Sequence, residues 1–343
     1  MNSSDEFKAP TPVTILTGFL GAGKTTLLNR IIHGNHGLKI AVLVNDFGAI
    51  NIDTELIVSI DGESVSLSNG CICCTIRDDL LFAVLKILRR PNPHDYIVIE
   101  ASGISDPIAI AATFLLPDVR HMLRLESILT VVDAEQVRDM HEQYPELITD
   151  QIQAADFVIV NKIDLVDDAQ RVAIESWVKS LVPRARIFAT TQADVPLSIL
   201  LGVGKYRITL DTVQNVKPHA HEHAHNHGTE FMSSSYSSVR PLRMQAVREA
   251  LKQLPVTIMR AKGLLYVAEV PDRRVIMHIV GRRISLTVGD AWGDRTPCTQ
   301  IVLISTPNGI DIASLNQQFD ACHASMQHER DDVVDWKSVR NAP

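Results

Sequence analysis

The chain has 343 residues, 45% of them apolar and 21% charged, with a formal net charge of −7. That is ample for an α/β domain plus a smaller one, and the acidic balance argues against nucleic acid as a partner. No run approaches the roughly 18 apolar residues of a membrane span, and the acidic start MNSSDEFKAP reads as a flexible tail and not a signal or transit peptide, so the cytoplasm is the expected location.

In chain order, near-continuous apolar runs at residues 13–17, 39–45, 96–100, 127–133, 157–161 and 186–190 predict strands buried on both faces. Helical stretches at 24–33, 77–89 and 170–181 lie between them. This alternation is the pattern of an α/β fold with a doubly wound, mostly parallel sheet, assigned to residues 11–210 after a tail at 1–10. The apolar pattern then collapses: residues 211–230, containing HAHEHAHNHGTE, read as a His-rich linker, with 231–238 as an edge strand of the next sheet. Beyond lie a predicted helix at 241–254, strands at 256–260, 264–270, 275–279, 284–288 and 299–305, and a helix at 312–326. They form a smaller α+β domain over 231–330, a ferredoxin-like arrangement being one option, followed by a tail at 331–343.

Residues Gly18-Phe19-Leu20-Gly21-Ala22-Gly23-Lys24-Thr25 satisfy G-x-x-x-x-G-K-[ST] between a predicted strand and a predicted helix, the setting of a P-loop. The glycines let backbone N–H groups curl inward toward phosphate oxygens, and the helix start adds the positive end of its dipole. Gly21, Ala22, Gly23, Lys24, Thr25 and Thr26 are expected to hold the nucleotide, with Lys24 bridging the outer phosphates and Thr25 ligating Mg²⁺. Asp46, in Asn45-Asp46-Phe47-Gly48, is a second candidate near Mg²⁺, with a strand-capping turn as the equal alternative.

Five cysteines, an odd number in a chain without secretory features, favour metal or redox chemistry over disulfides. Cys71, Cys73 and Cys74 place three soft thiolate donors within four residues, suited to Zn²⁺ and able to take Co²⁺ or Cu⁺. A helix predicted to start near residue 75, together with Arg77, favours the thiolate. A redox pair or inert buried cysteines are the alternatives. Cys298 and Cys322 stand alone and read as buried small apolar residues.

The strand at 96–100 closes on Glu100, followed by Ala101-Ser102-Gly103. A carboxylate there reaches Mg²⁺ directly or through water, which makes Lys24 and Glu100 the catalytic candidates; Gly103 lets a backbone N–H approach the γ-phosphate. Asn161-Lys162-Ile163-Asp164 ends the strand at 157–161, where a guanine-reading N-K-x-D motif belongs. The Asp164 carboxylate can accept from guanine N1–H and the 2-amino group, a donor pair that adenine lacks. Thr190, closing the last strand of this domain, joins them as a nucleotide-binding candidate, and GTP is the expected ligand. Farther on, His219, His221, His223, His225 and His227 alternate. Imidazoles on a mobile segment make a weak, exchangeable capture site for Zn²⁺, Ni²⁺ or Cu²⁺; the bland reading is a polar linker. His94, His278, His323 and His328 read as satisfied surface or core residues.

The pieces LTGFLGAGKTTLLN, VNDFGAINID, GCICCTIRDDL, VIEASGISDP, TVVDA and VNKIDL, in this order, resemble the CobW-type GTPases, relatives of the GTPases that help load nickel into urease and hydrogenase. SSYSSVRPL, KGLLYVAE and QIVLIS resemble that family's C-terminal domain. The resemblance implies a GTP-hydrolysing metallochaperone: Cys71, Cys73 and Cys74 bind a transition metal, zinc first and cobalt second, when GTP·Mg²⁺ is loaded, and hydrolysis releases it to a client metalloprotein. Many members carry Asn-Glu-Phe-Gly-Glu where this chain has Asn45-Asp46-Phe47-Gly48-Ala49, so a secondary metal site using the last glutamate is in doubt here. Cobalt handling in cobalamin synthesis, activation of a nitrile hydratase, zinc buffering and a regulatory GTPase are the alternatives. The expected partners are GTP, a transition-metal ion and a client metalloprotein, with a homodimer as an option and neither nucleic acid nor membrane.

Overall fold

The computed structural model describes residues 10–44, 65–66, 75–89, 94–117, 119, 121–202 and 231–324. Asp46, Cys71, Cys73, Cys74, His219, His221, His223, His225, His227 and His328 lie outside the described residues. The chain divides into two compact units, Met1–Gly204 and Lys205–Pro343.

In the first unit the strands are β1 (Thr11–Thr17), β2 (Ile40–Val44), β3 (Val65–Ser66), β4 (Tyr96–Glu100), β5 (Leu123–Asp133), β6 (Phe157–Asn161) and β7 (Arg186–Ala189). They form one parallel sheet in the order β3-β2-β4-β1-β5-β6-β7. The helices are α1 (Lys24–His33), α2 (Thr75–Leu88), α3 (Pro107–Thr113), α4 (Val137–Gln143), α5 (Pro145–Ala154), α6 (Asp168–Leu181) and α7 (Leu197–Leu201). The sheet forms because its sequences are apolar on both faces: every residue of YIVIE in β4 and FVIVN in β6 is buried. Val13, Ile15, Ile97 and Ile99 share one core cluster with Leu80 and Val84 of α2 and Ile110 of α3. Val158 and Val160 pack with Ile148 and Ile152 of α5 and Val178 of α6. Each fully buried side chain of this size contributes about 1.5–3 kcal/mol. The chain leaves β1 toward β2 on one side and later crosses from β4 past β1 to β5 on the other, so a crevice opens at the carboxyl ends of the strands flanking β1.

Two differences from the sequence expectation have local causes. Strand β5 starts at Leu123, well before residue 127, because Arg124 and Glu126 interrupt the apolar run yet pair with each other beside a register shift opposite Val13 and Thr14. Helices α3 and α5 begin on Pro107 and Pro145, which break a helix in its interior but fit its first turn, where the missing N–H has no partner to lose.

The second unit carries β8 (Met232–Ser238), α8 (Met244–Gln253), β9 (Ile258–Leu265), β10 (Arg273–Val280), β11 (Arg283–Ala291), β12 (Thr299–Ser305) and α9 (Ile312–Asp320). Its antiparallel sheet has the order β11-β10-β9-β12-β8. Strands β8 and β9 both run antiparallel to β12, which lies between them, so β8-α8-β9 is a split β-α-β unit. That unit is what a ferredoxin-like arrangement shares; here the β10–β11 hairpin extends the far edge and α9 follows the last strand. Val247, Leu251 and Phe319 of the helices pack on Tyr236, Leu265, Met277 and Leu303 of the sheet. Where the sequence reads two strands, 256–260 and 264–270, the structure has one, β9, which runs through the gap between them and ends at Leu265, with 266–270 beyond it. Gly263 does not break it: a Cβ there would stand 2.9 Å from both the Gln300 carbonyl oxygen and Ile301 Cγ1, so glycine is what admits β12 at this distance. Cys322 is buried as expected, whereas Cys298 is only half-buried. No helix among the described residues is long and apolar enough to cross a membrane.

Asp320, at the end of α9, and His323, just after it, are fastened to β8. Tyr236 Oη donates to Asp320 Oδ1 at 2.8 Å, and His323 Nε2 lies 2.8 Å from Ser238 Oγ. Burial first, and the Arg240 charge second, hold the His323 imidazole below its ordinary 6.5, against the opposing pull of Asp320. The unfolded chain therefore binds more protons than the folded one just below that pH. Hydrogen-exchange protection of the β9 and β12 amides should be full above about pH 6.5 and fall as the pH is lowered, and His323→Gln should flatten that slope. Replacing Gly263 with valine should cost the second unit about 1–3 kcal/mol, read as a lower urea midpoint, because the backbone of β12 must move to admit the side chain.

Candidate nucleotide-binding site

The P-loop leaves the carboxyl end of β1 and turns directly into α1. Gly23 has φ +108°, and a Cβ there would meet the Asn161 side-chain nitrogen at 2.4 Å. Glycine thus serves twice, in reaching a left-handed conformation and in admitting the Asn161 amide. Helix α1 has no acidic residue in its first turn and no side-chain cap, so its first N–H groups and the positive end of its dipole are suited to an anion. Lys24, largely buried at the helix start, donates from Nζ to the Phe19 carbonyl at 3.2 Å, which folds the ammonium over the loop.

Thr25 Oγ1 donates to Glu100 Oε1 at 3.0 Å, and Glu100, 3% exposed, closes β4. A hydroxyl and a carboxylate gathered beside the phosphate loop form a hard-oxygen donor set that fits Mg²⁺. The segment after β4 is also fixed: the Ala101 N–H donates to the Leu16 carbonyl at 2.8 Å, and a Cβ on Gly103 would stand 2.7 Å from the Leu20 nitrogen. Gly103 is therefore pressed against the P-loop backbone. From α5, Gln151 Nε2 donates to the carbonyls of Gly103 at 2.9 Å and Ser105 at 3.4 Å.

On the other side of the crevice, Asn161 is 2% exposed and occupied at both ends of its amide. Nδ2 donates to the Ala22 carbonyl at 3.0 Å, and Oδ1 accepts from the Ala193 N–H at 2.8 Å. Lys162 sits in the left-handed region at φ 61° and donates from Nζ to Asp133 Oδ2 at 2.6 Å. Asp133 Oδ1 in turn accepts from the N–H groups of Glu135 and Gln136. Thr190 Oγ1 donates to the Asp194 carbonyl at 2.6 Å, and the Thr190 N–H to the Val160 carbonyl at 2.8 Å. Asp164 is exposed on the single 3₁₀ turn Ile163–Leu165, and Thr26 is exposed on α1. The described residues thus bring together Gly21–Thr25, Glu100, Gly103, Asn161 and Lys162, with Thr190 anchoring the adjoining loop.

Three contributors were missed from sequence: Asp133, Gln151 and the loop from Thr191 to Asp194. Asp133 had a usable signal, since it closes an apolar strand just as Glu100 does. Gln151 had none, being one polar residue on a short helix.

Among protein families, residues 12–189 match the CobW/HypB/UreG nucleotide-binding domain, and residues 231–323 match the cobalamin synthesis protein cobW C-terminal domain. The chain is 31% identical over 329 residues to "Zinc-regulated GTPase metalloprotein activator 1" of Dictyostelium discoideum, covering 82% of this chain and 68% of that one. It is 32% identical over 321 residues to "Zinc chaperone CobW" of a Sinorhizobium species, covering 82% and 88%. It is also 30% identical over 306 residues to "Zinc chaperone YjiA" of Escherichia coli, covering 86% and 94%. Among solved structures, Zn(II)-bound YjiA GTPase from E. coli is similar at a TM-score of 0.43 and 24% identity, covering 92% of this chain and 100% of that one. With both domain types matched in order and the phosphate and base motifs joined in one crevice, the chain belongs to the CobW/HypB/UreG family.

Proposed function

We propose that the protein is a GTP-hydrolysing metallochaperone that carries zinc on Cys71, Cys73 and Cys74 and passes it to a client metalloprotein when GTP is hydrolysed. The observation that carries this reading is the junction of Lys24, Thr25 and Glu100 with the Gly103 loop at one crevice, in a family whose relatives are named zinc chaperones. Lys24 neutralises the outer phosphates, and Thr25 and Glu100 would hold Mg²⁺, which supplies charge neutralisation across them. Gly103 offers its backbone to the γ-phosphate. Asp164 and Lys162 select guanine. In this reading residues 211–230 are a His-rich capture arm between the nucleotide domain at 11–210 and the second domain at 231–330.

A route from phosphate to metal follows from chain connectivity. Helix α3 starts four residues after Gly103, α3 touches α2, and α2 starts at Thr75, directly after Cys74. Loss of the γ-phosphate removes a partner from the Gly103 backbone and alters the support under α3, and so under α2, the helix that follows Cys74. Release of the loop is an order–disorder switch of the kind other GTPases use. By linkage, zinc must then tighten GTP binding by the factor by which GTP tightens zinc binding.

Zinc titrations of the full chain with a non-hydrolysable GTP analogue and with GDP should differ in Kd by roughly 5–150-fold. Equal affinities would sink the coupling. Joint replacement of Cys71, Cys73 and Cys74 by serine should abolish the tight site while leaving GTP binding intact; an unfolded variant would show the metal to be structural. Asp164→Asn should weaken GTP by about tenfold or more through loss of a charge-assisted hydrogen bond, and raise affinity for xanthosine triphosphate, whose 2-oxo group accepts from the new amide.

A further inference from the structure

We propose that Arg30 is a positioning residue for the guanine pocket, closing a ring of contacts through which the phosphate helix α1 fixes the loop after β7 against Asn161. The inference rests on the reading that this crevice binds a guanine nucleotide.

Gln192 and Ala193 stand consecutively in the left-handed region, with φ 51° and 54°. Single left-handed residues are tolerated mainly when they are glycine, asparagine or aspartate; two in a row with ordinary side chains must be held by their surroundings. The peptide unit between them is gripped at both ends. Its N–H, from Ala193, donates to Asn161 Oδ1 at 2.8 Å, and its carbonyl, from Gln192, accepts from Arg30 Nε at 2.7 Å. Arg30 Nη1 also donates to Asp194 Oδ1 at 3.0 Å, so the guanidinium fork spans the strained turn.

Arg30 occupies the last turn of α1, where a basic residue is ordinarily explained by the helix dipole. Here the fork bonds the carbonyl of a loop 162 residues away in sequence. From Arg30 the contacts run through the Gln192–Ala193 peptide to Asn161, from Asn161 to the Ala22 carbonyl, and through the P-loop back into α1. Phosphate and base recognition are thereby parts of one closed circuit. The ion pair to Asp194 is exposed at 39% and 75% and contributes little, so the bond to the Gln192 carbonyl carries the effect.

The test is dissociation of a fluorescent GDP analogue from the full chain, with steady-state GTP hydrolysis alongside. Arg30→Ala should release the nucleotide about tenfold faster and raise KM by a similar factor, with the smaller part of the loss in kcat. Arg30→Lys, able to reach the Gln192 carbonyl but not to fork, should restore part of the retention, and Asp194→Ala should cost less than Arg30→Ala. Wild-type dissociation from Arg30→Ala would overturn the proposal, as would a fall in nucleotide-free thermal midpoint large enough to account for the change. If the unaltered protein retains no guanine nucleotide, the pocket reading fails and this inference falls with it; normal retention with an indifferent Arg30 sinks only the inference.

Discussion

The nucleotide domain is organised around one buried side-chain amide. Asn161 is bound at one end to the phosphate loop and at the other to the loop that follows the last strand, and both bonds are made out of contact with water. A buried amide left half-satisfied is costly, so the two loops cannot shift independently without breaking a bond that solvent does not replace. The fit leaves no room for a methyl group on Gly23. A nucleotide bound here meets a cleft whose two walls are already in register, which lowers the ordering cost of binding.

The sheet explains why that register is available. Strands β1, β4, β5, β6 and β7 end on the same side, and each of the first four delivers its terminal or next residues to the crevice: the P-loop, Glu100, Asp133 and Asn161. Burial on both faces holds the strands in position against one another. Polar residues at the ends are therefore placed by the packing of the apolar residues before them. The second unit uses a different solution, an antiparallel sheet whose helix-packed cluster takes alternate residues, Val275, Met277 and Ile279 of β10 and Ile301 and Leu303 of β12.

Much of this was legible in sequence because it rests on unbroken local patterns. The runs VTILT, YIVIE and FVIVN gave their strands nearly to the residue, and the P-loop and N-K-x-D motifs located both ends of the crevice. What escaped depends on distant partners. Asp133 matters because Lys162 reaches it across the strand ends, and Gln151 because it meets the Gly103 loop. No periodicity encodes either meeting. The close approach of β12 to Gly263 is of the same kind, visible only once the strand that lies against it is known. Asp46, the clustered cysteines and the alternating histidines fall outside the described residues, so their assignment rests on chemistry and resemblance.

Strand β8 forms an outer border of the second sheet and is built almost wholly of serine, with Tyr236 as its buried apolar anchor. Its outward backbone groups could in principle template a strand from another molecule, but hydroxymethyl side chains offer such a strand almost no apolar surface to cover. The border thereby gives edge-to-edge polymerisation little to gain, whatever strand is offered to it.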